Sequence, residues 1–357
     1  MYKLSERKIS QVLIVLLLIV LLTACNSANG DNSKGEGSSS KDDGVITFGT
    51  TPVGGSINAV GNGLAKVISS NSDVKASVKP FNGLSAWGPM LNRGEIQLGI
   101  ATQPELAWGY RGDKGFEEMK NIRLLVSGNN LKTPGFVVRK ESEIETISDL
   151  KGKRVAAEYP GSASVVALLD AGLAINGLSW EDVKKVPAAS TVDAIKALQD
   201  NNLDAAYALV PSTPVIAEVH NAVGLKPLNF LEGVSPDQID QVSEDVKEQL
   251  SSHLPGAKVT VIEPSGYISK ETTGVQYALQ LVGTTHLSEE TVYEIMETLW
   301  EKYEELHPIH VWFKQWTPEA MFDPEPTIPY HPGAIQFYKD KGLWNDKVEK
   351  IQQELLE

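Results

Sequence analysis

Two glycine-rich segments contain the residues best suited to bind a small anion. Residues 50–56 read Thr-Thr-Pro-Val-Gly-Gly-Ser, and residues 159–164 read Tyr-Pro-Gly-Ser-Ala-Ser. Each segment runs from the end of a predicted strand into the start of a predicted helix. The first N–H groups of a helix have no partner within it and lie at the positive end of its dipole, so they can bind a carboxylate or another anion. Glycine lets the backbone approach a ligand closely, and hydroxyl groups add hydrogen bonds.

Either segment alone also fits an ordinary helix start. The repetition of the pattern in both halves of the chain favours a ligand-binding role, with the two loops facing each other across a cleft. Arginines are scarce, and none follows Arg154, so we expect backbone N–H groups and hydroxyls to provide most of the anion recognition. The candidate ligand-binding residues lie in these loops and near other strand ends: Thr50, Thr51, Gly54, Gly55, Ser56, Asn58, Asn82, Ser85, Gln103, Trp108, Tyr159, Gly161, Ser162, Ala163, Ser164, Tyr207 and Ser212.

Motifs for catalysis or metal binding are weak. His307 and His310 form the only close histidine pair, and Pro308 and the lack of an adjacent carboxylate argue against a metal site there. His331 precedes Pro332 in a segment that favours a structural role at the start of a helix. The sequence contains no H-E-x-x-H, no phosphate-binding G-x-x-x-x-G-K-[ST] and no G-x-S-x-G. We therefore expect no catalytic residue, no metal and no cofactor.

The N-terminus has the features of an export signal. Lys3, Arg7 and Lys8 precede an unbroken apolar run at residues 12–22, which is too short to span a membrane. Leu22-Thr23-Ala24-Cys25 then resembles the lipobox of bacterial lipoproteins. This resemblance implies cleavage of residues 1–24 and lipidation of Cys25, which would anchor the protein at the outer face of the cytoplasmic membrane. Residues 25–44 would be the lipidated cysteine and a flexible tether. A short uncleaved anchor is the alternative.

The overall composition excludes several classes of protein. The chain has 357 residues and a formal net charge of −14, which argues against a nucleic-acid partner and against a polybasic membrane-surface protein. Hydrophobic residues at 41%, with seven tryptophans, are enough for sizeable cores. Because the chain has one cysteine, it can form no intrachain disulfide and no cysteine-based zinc site.

The elements that would position the candidate residues alternate between strand and helix patterns. Strands are predicted at residues 45–50, 96–100, 122–126, 136–139, 155–157, 205–210, 258–262 and 275–283. Helices are predicted to begin near residues 57, 84, 163, 214, 288 and 332, and the helix from Ser288 has an apolar stripe that extends to Leu306. Residues 179–182 resemble a helix-capping sequence. This order favours an α/β fold with a mainly parallel sheet.

The sequence from about residue 45 to residue 344 resembles the TAXI-type solute-binding proteins of tripartite ATP-independent periplasmic (TRAP) transporters. The strongest matches are residues 328–334 (Ile-Pro-Tyr-His-Pro-Gly-Ala) with Tyr338 and Gly342, and residues 150–155 (Leu-Lys-Gly-Lys-Arg-Val). Weaker matches are Gly161-Ser162, residues 193–198, residues 204–206, and the spacing of Gly49, Gly54, Gly55 and Gly61. The loops depart from the family pattern at residues 57–58, 163–165 and 211–214.

The resemblance implies a two-lobed fold of the periplasmic-binding-protein type (type II), with a ligand cleft between the lobes. Lobe 1 would contain residues 45–133 and about 258–357, and lobe 2 residues 134–257. The implied function is capture, without catalysis, of a small carboxylate-bearing metabolite such as an amino acid or organic acid. Hinge closure would bury this solute, and TRAP membrane permease subunits would import it with an ion gradient.

Three other functions remain open at the level of sequence. The chain could serve an ATP-driven (ABC) importer, since the Leu-Lys-Gly-Lys-Arg segment occurs there too. It could be the ligand-sensing lobe of a membrane receptor, or a lipid-anchored enzyme. A neighbouring gene for an ATPase would favour the ABC importer, and loss of turnover on mutation of His307 or His331 would favour an enzyme.

Overall fold

The computed structural model describes residues 44–160 and 162–357, which lie in one compact unit. The predictions for the signal peptide, for Cys25 and for nearly all of the tether concern residues outside this part, as does the prediction for Gly161. Across the described ranges, no helix combines the length and apolar character that a membrane span requires.

The described chain contains eleven strands and twelve α-helices. The strands are β1 (Ile46–Thr50), β2 (Ala76–Pro80), β3 (Leu98–Thr102), β4 (Ile122–Thr133), β5 (Phe136–Arg139), β6 (Arg154–Ala157), β7 (Lys184–Pro187), β8 (Ala205–Tyr207), β9 (Leu225–Pro227), β10 (Lys258–Ile262) and β11 (Thr272–Thr284). The helices are α1 (Ser56–Asn71), α2 (Leu84–Asn92), α3 (Gln103–Arg111), α4 (Ala163–Ile175), α5 (Thr191–Gln199), α6 (Pro214–Val223), α7 (Glu244–His253), α8 (Glu289–Glu301), α9 (Tyr303–Leu306), α10 (Pro318–Met321), α11 (Pro332–Asp340) and α12 (Asp346–Leu356). Short 3-10 helices lie at Ser148–Leu150, Pro236–Gln241 and Val311–Gln315.

The strands form two mixed sheets, so the expectation of a mainly parallel sheet is wrong. The first sheet has the order β10-β11-β3-β1-β2, with β4 also paired to β11, and the second has the order β7-β6-β8-β5-β9. In the first sheet β1 is parallel to β2 and β3, whereas β11 is antiparallel to β3, β4 and β10. The reason is the path of the chain. β4 leads to the second sheet and β11 leads back, so the two long strands run in opposite directions.

Each sheet has its own hydrophobic core, which gives the molecule two lobes. Phe48, Trp87 and Tyr338 lie in the core of the first sheet, and Phe136 and Leu168 in the core of the second. The second core also contains Trp108 of α3, Ile262 of β10, and Val275 and Tyr277 of β11. The partly buried Phe116 and Leu131 pack against both cores. The lobes therefore meet along β4 and β11, which we call the hinge strands. The predicted residue boundaries of the lobes stay a prediction.

Helix α2 is held flat on the first sheet by the fit of Trp87 over two glycines. Gly49 of β1 and Gly99 of β3 are paired in register, and a Cβ atom on either would lie within 2.8 Å of the Trp87 ring. The ring is fully buried, so it belongs to the core and not to a ligand site. Its packing fixes where α2 begins, at Leu84 and Ser85.

Several local predictions are confirmed and others need correction. Ser288 accepts a hydrogen bond from the N–H of Thr291, and His331 caps α11 through its bond from the N–H of Gly333. The helix from Ser288 ends at Glu301, however, because Lys302 has non-helical backbone angles (φ −110°, ψ 16°). Leu306, the end of the predicted stripe, is still buried but lies in the separate helix α9.

One predicted strand is shorter in the structure than expected, and one predicted helix start is a turn. The strand predicted at residues 205–210 ends at Tyr207, because the chain turns and the N–H of Thr213 bonds to the carbonyl oxygen of Val210. Residues 179–182 form the hydrogen bonds of a capping sequence, from the N–H and hydroxyl of Ser179 to Asp182, but they close a turn before β7 rather than begin a helix.

Candidate functional site

The carboxyl ends of parallel strands from both sheets meet at one cleft. In the first sheet, β1 and β3 end at Thr50 and Thr102 and continue into loop 51–55 and helix α3. In the second sheet, β6 ends at Ala157 and continues through residues 158–162 into α4. A cavity of about 230 Å³ has walls from both lobes, and its lining residues are Leu84, Ser85, Glu105, Lys114, Gly115, Phe116, Tyr159 and Ala163. The fold thus places a small cavity where open α/β sheets bind ligands.

The helices that begin at this cleft have no side-chain caps. The residues before α1, α2 and α4 are Gly55, Gly83 and Ser162; none accepts a capping bond with its side chain, and no acidic residue lies in these first turns. The first N–H groups of α1 and α2 are therefore available to an anionic ligand, whereas in α4 the N–H of Ser164 lies against the Glu105 carboxylate.

Of the helices elsewhere in the described chain, four have side-chain caps and four, α6, α7, α9 and α10, do not. Ser190, Ser288, His331 and Asn345 cap α5, α8, α11 and α12 with side-chain acceptors. Helices α6 and α7 lack such a cap, but α6 begins with proline and α7 has two acidic residues in its first turn. At the cleft, α1 and α2 have neither a side-chain cap nor an acidic residue in the first turn, whereas Glu105 lies in the first turn of α3 and against that of α4.

Glu105 joins the two lobes inside the cleft. Its Oε2 accepts a hydrogen bond of 2.9 Å from the Thr102 hydroxyl, and its Oε1 accepts one of 3.4 Å from the Ser164 hydroxyl. Thr102 belongs to the first sheet, whereas Ser164 lies in the first turn of α4 on the second lobe. Burial raises the pKa of the Glu105 carboxyl above its ordinary value, and the bonds from Thr102 and Ser164 oppose this shift. Among the described residues, Glu105 has no ion-pair partner.

Tyr159 lines the cleft on the side of the second lobe, and two further buried tyrosines lie behind it. The Oη atom of Tyr159 accepts a hydrogen bond of 3.1 Å from the N–H of Tyr207. Tyr277 on β11 makes side-chain hydrogen bonds to both Tyr207 and Ser164. Burial raises the pKa of all three phenols, so they stay neutral and serve as hydrogen-bonding packing groups.

The backbone next to the cleft contains strained positions. Glu158 (φ +58°) and Lys114 (φ +52°) are two of the three non-glycine residues with positive φ in the described chain. Glu158 precedes Tyr159, and Lys114 lines the cavity itself. Such conformations cost free energy and concentrate at functional sites, which agrees with the position of this cleft.

The structure brings only some of the predicted site residues into the cavity. Ser85, Tyr159 and Ala163 line it, and Ser164 reaches it through Glu105. Seven others are exposed or partly exposed on their loops: Thr51, Gly54, Gly55, Ser56, Asn82, Ser162 and Ser212.

The remaining predicted residues lie elsewhere. Thr50 and Asn58 are buried and bonded to each other, with 2.9 Å between Nδ2 of Asn58 and Oγ1 of Thr50. Trp108 and Tyr207 are buried in the core of the second lobe. Gln103 lines a different cavity, and Gly161 is outside the described residues.

Three lining residues were not predicted from the sequence: Glu105, Lys114 and Phe116. Glu105 could have been found, since it is the acidic residue in the first turn of α3, three positions after Thr102. Lys114 and Phe116 lie in an irregular loop that has no recognisable motif. Phe116 reaches the cleft because its ring stacks on buried Trp108, with 6.4 Å between the ring centroids.

His307 and His310, the histidine pair considered as possible metal ligands, make structural contacts. His310 accepts a hydrogen bond from the N–H of Trp312, and Nε2 of His307 lies 3.5 Å from the carbonyl oxygen of Trp316. Residues 44–160 and 162–357 hold no group of three or more His, Cys, Asp or Glu side chains that could bind a metal.

The two sheets, the hinge strands and the interlobe cleft define a two-lobed α/β protein of the periplasmic-binding-protein type. The chain belongs to the NMT1-like family, whose profile matches residues 48–342.

Solved structures with a similar chain path are distant in sequence. The periplasmic aliphatic sulphonate-binding protein SsuA from Escherichia coli is 16% identical, with a TM-score of 0.44, over 87% of this chain and 85% of that one. PhnD1 from Prochlorococcus marinus, in complex with methylphosphonate, is 14% identical, with a TM-score of 0.49, over 84% and 99%. A TctC solute-binding protein from Polaromonas is 13% identical, with a TM-score of 0.47, over 74% and 86%.

Proposed function

We propose that this protein is an extracytoplasmic solute receptor that captures a small carboxylate-bearing metabolite in the cleft between its lobes. The observation that carries the proposal is a cavity between the lobes at the uncapped N-termini of α2 and α4. A carboxylate would accept hydrogen bonds from these N–H groups and be stabilised by the helix dipoles. Ser85 and Ser162 would add hydroxyl contacts, and Phe116 and Tyr159 would cover the apolar part of the solute.

Glu105 favours an amino acid over a simple dicarboxylate. Its carboxylate group would repel a second anionic group in the cavity, whereas it could accept hydrogen bonds from an ammonium group. The solute would thus be held by helix N-termini at its negative end and by Glu105 at its positive end.

Binding at this position would favour the closed arrangement of the lobes, because the solute would contact both. The hinge strands would absorb the movement. No chemical step is needed, and the solute leaves unchanged.

The finer proposal is a TAXI-type receptor that delivers its solute to TRAP membrane permease subunits. It is based on the sequence resemblance, and lipidation of Cys25 would hold the receptor next to these subunits. The ABC importer remains the second candidate. Uptake of the solute by cells should stop when the ion gradient is collapsed at constant ATP; uptake that follows ATP and ignores the gradient would identify the ABC importer instead.

Substitution of the loop residues tests the cleft. Native mass spectrometry of the purified protein identifies a co-purified solute, and calorimetry then measures its affinity. We expect Gly55→Leu and Ser162→Leu to weaken binding at least tenfold, because the added side chains occupy the space next to the free N–H groups. Ser235→Leu is the matched control, since Ser235 is an exposed serine before a 3-10 helix outside the cleft. Full affinity in both loop variants, or a chemically altered solute, would contradict the proposal.

A further inference from the structure

A second and larger cavity lies on the other face of the hinge strands. Its volume is about 460 Å³, within the range of small-molecule sites. Gln276 and Ala278 of β11 line it. Because successive side chains of a strand point to opposite faces, Tyr277 between them points the other way, towards Tyr207 and Ser164. The two cavities are therefore separated by the hinge strands.

Both lobes contribute walls to this rear cavity. Residues 322–325 and Thr327 come from the segment before α11, and Ser251 and residues 256–258 come from α7 and the start of β10. Gln103 lies at the base, where a Cβ atom on Gly256 would be 2.4 Å from its Cδ atom. The lining is rich in amide and hydroxyl groups, so it is suited to a polar ligand.

Asp323 gives the rear cavity a negative charge without a matching cation. Its Oδ2 accepts hydrogen bonds from Gln103 (3.2 Å) and Gln280 (3.4 Å), both neutral amides, and its Oδ1 accepts one from the N–H of Glu325. Within the described chain no ion pair includes Asp323. Burial raises the pKa of its carboxyl group.

The neighbouring carboxylate, Glu325, differs from Asp323 because it forms ion pairs. Glu325 forms ion pairs with Lys258 (3.0 Å) and Lys347 (2.9 Å), and these lysines lower the pKa of the Glu325 carboxyl to about 2. Lys258, the cation that lines the cavity, is thus paired with Glu325; its charge also opposes the rise in the pKa of Asp323 but does not outweigh the effect of burial.

A second observation concerns Gln280, whose side chain lacks one hydrogen-bond donor in the described chain. Its side chain is fully buried, and its Nε2 donates to Asp323, which fixes the orientation of the amide. Its Oε1 is then buried with no hydrogen-bond partner among the described residues. A buried acceptor without a donor costs about 1–3 kcal/mol, and this one belongs to a side chain that contacts Asp323 at the edge of the cavity.

We propose that the rear cavity is a second binding site, for a small organic molecule with a primary ammonium group. The N–H donors of an ammonium group can satisfy the Asp323 carboxylate, which lines the cavity. The amides and hydroxyls of Gln103, Asn130 and Ser251 would contact the rest of the molecule. A divalent metal is a poorer fit, because Ca²⁺ takes six to eight oxygen ligands and the described residues hold no cluster of three metal-binding side chains.

Calorimetry on the purified full-length protein tests this site with putrescine as the probe. The neutral isostere 1,4-butanediol is the matched ligand control. We expect putrescine to bind, 1,4-butanediol not to bind, and Asp323→Asn to weaken putrescine binding at least tenfold. Ser251→Trp provides a second variant that fills the cavity from its exposed rim without touching the Asp323 hydrogen bonds, and it should weaken binding to the same degree.

The outcomes that overturn the proposal are distinct. The proposed rear site is wrong if putrescine does not bind at millimolar concentrations. It is also wrong if putrescine binds the wild type and both variants equally. Binding that is lost in Glu105→Gln and kept in Asp323→Asn would place the ammonium group in the interlobe cleft instead. Because Asp323 and Ser251 lie outside that cleft, failure of this proposal leaves the receptor function untouched.

Discussion

At the scale of single residues, Glu105 is the side chain on which the cleft depends most. It is a carboxylate that burial disfavours, held between a hydroxyl of one lobe and a hydroxyl of the other. A protein that only needed to join its lobes could use a neutral amide here at lower cost. The retained charge therefore fits a role in binding a positively charged or hydrogen-bond-donating group.

The raised pKa of Glu105 predicts a pH-dependent cost to stability. The folded state binds this proton more tightly than the unfolded state, so the cost is absent below the ordinary glutamate pKa and grows as the pH rises through the raised value. Glu105→Gln removes the ionisation. Urea unfolding at about pH 4 and about pH 8, on either side of the ordinary value, should show that the variant gains stability over the wild type as the pH rises. A difference that does not change with pH would contradict this.

Local sequence patterns identify only some of the residues that line the cavities. The sequence pointed to Tyr159 and Ala163 in the second loop and to Ser85 before a helix, and these three residues line the cavity. It could not show that Gln103 faces the rear cavity while Glu105, two positions later on the same helix, faces the front. That difference depends on how α3 packs between the hinge strands and α4, which is a property of the folded chain.

At the scale of helices and strands, the clearest division is between capped and uncapped helix starts. Ser288 and Ser190 satisfy an N–H group of their own helices, through bonds to Thr291 and Asp193. Ser162 occupies the equivalent position before α4 but makes no such bond. The same residue type thus caps its helix in two places and leaves the third without a side-chain cap.

Serine-to-alanine substitutions measure this division directly. Loss of an N-cap bond costs about 1 kcal/mol, so Ser288→Ala and Ser190→Ala should each lower the free energy of unfolding by about that amount. Ser162→Ala should change it by less than about 0.5 kcal/mol. Denaturant unfolding of the three variants is the measurement. Equal losses at all three positions would mean that Ser162 caps α4 after all.

Some features of the helices and strands can be predicted from the sequence, and others cannot. Helices that begin at Ser288 and Pro332 carry strong local signals and appear where expected. The break at Lys302 carries none, because the apolar stripe continues through it to Leu306. The antiparallel pairing of β4 and β11 could not be predicted either, since it follows from the chain leaving one lobe and returning to it.

At the scale of the whole molecule, the hinge strands divide two cavities that both have walls from two lobes. Movement of the lobes would change the cleft in front and the rear cavity together, because β4 and β11 connect the lobes and line the rear cavity. Ligands in the two cavities would then influence each other's affinity by the same factor. The hydrogen bond from Ser164 to Glu105 is one contact between the lobes in this structure.

A crystal structure of the protein with its co-purified solute tests the central claim most directly. We predict that the solute lies in the interlobe cleft, with an anionic group within hydrogen-bond distance of N–H groups in the first turns of α1, α2 or α4 and a donor group near Glu105. A solute bound only in the rear cavity or on the surface of one lobe, with the helix N-termini at the cleft making no ligand contact, would contradict the account.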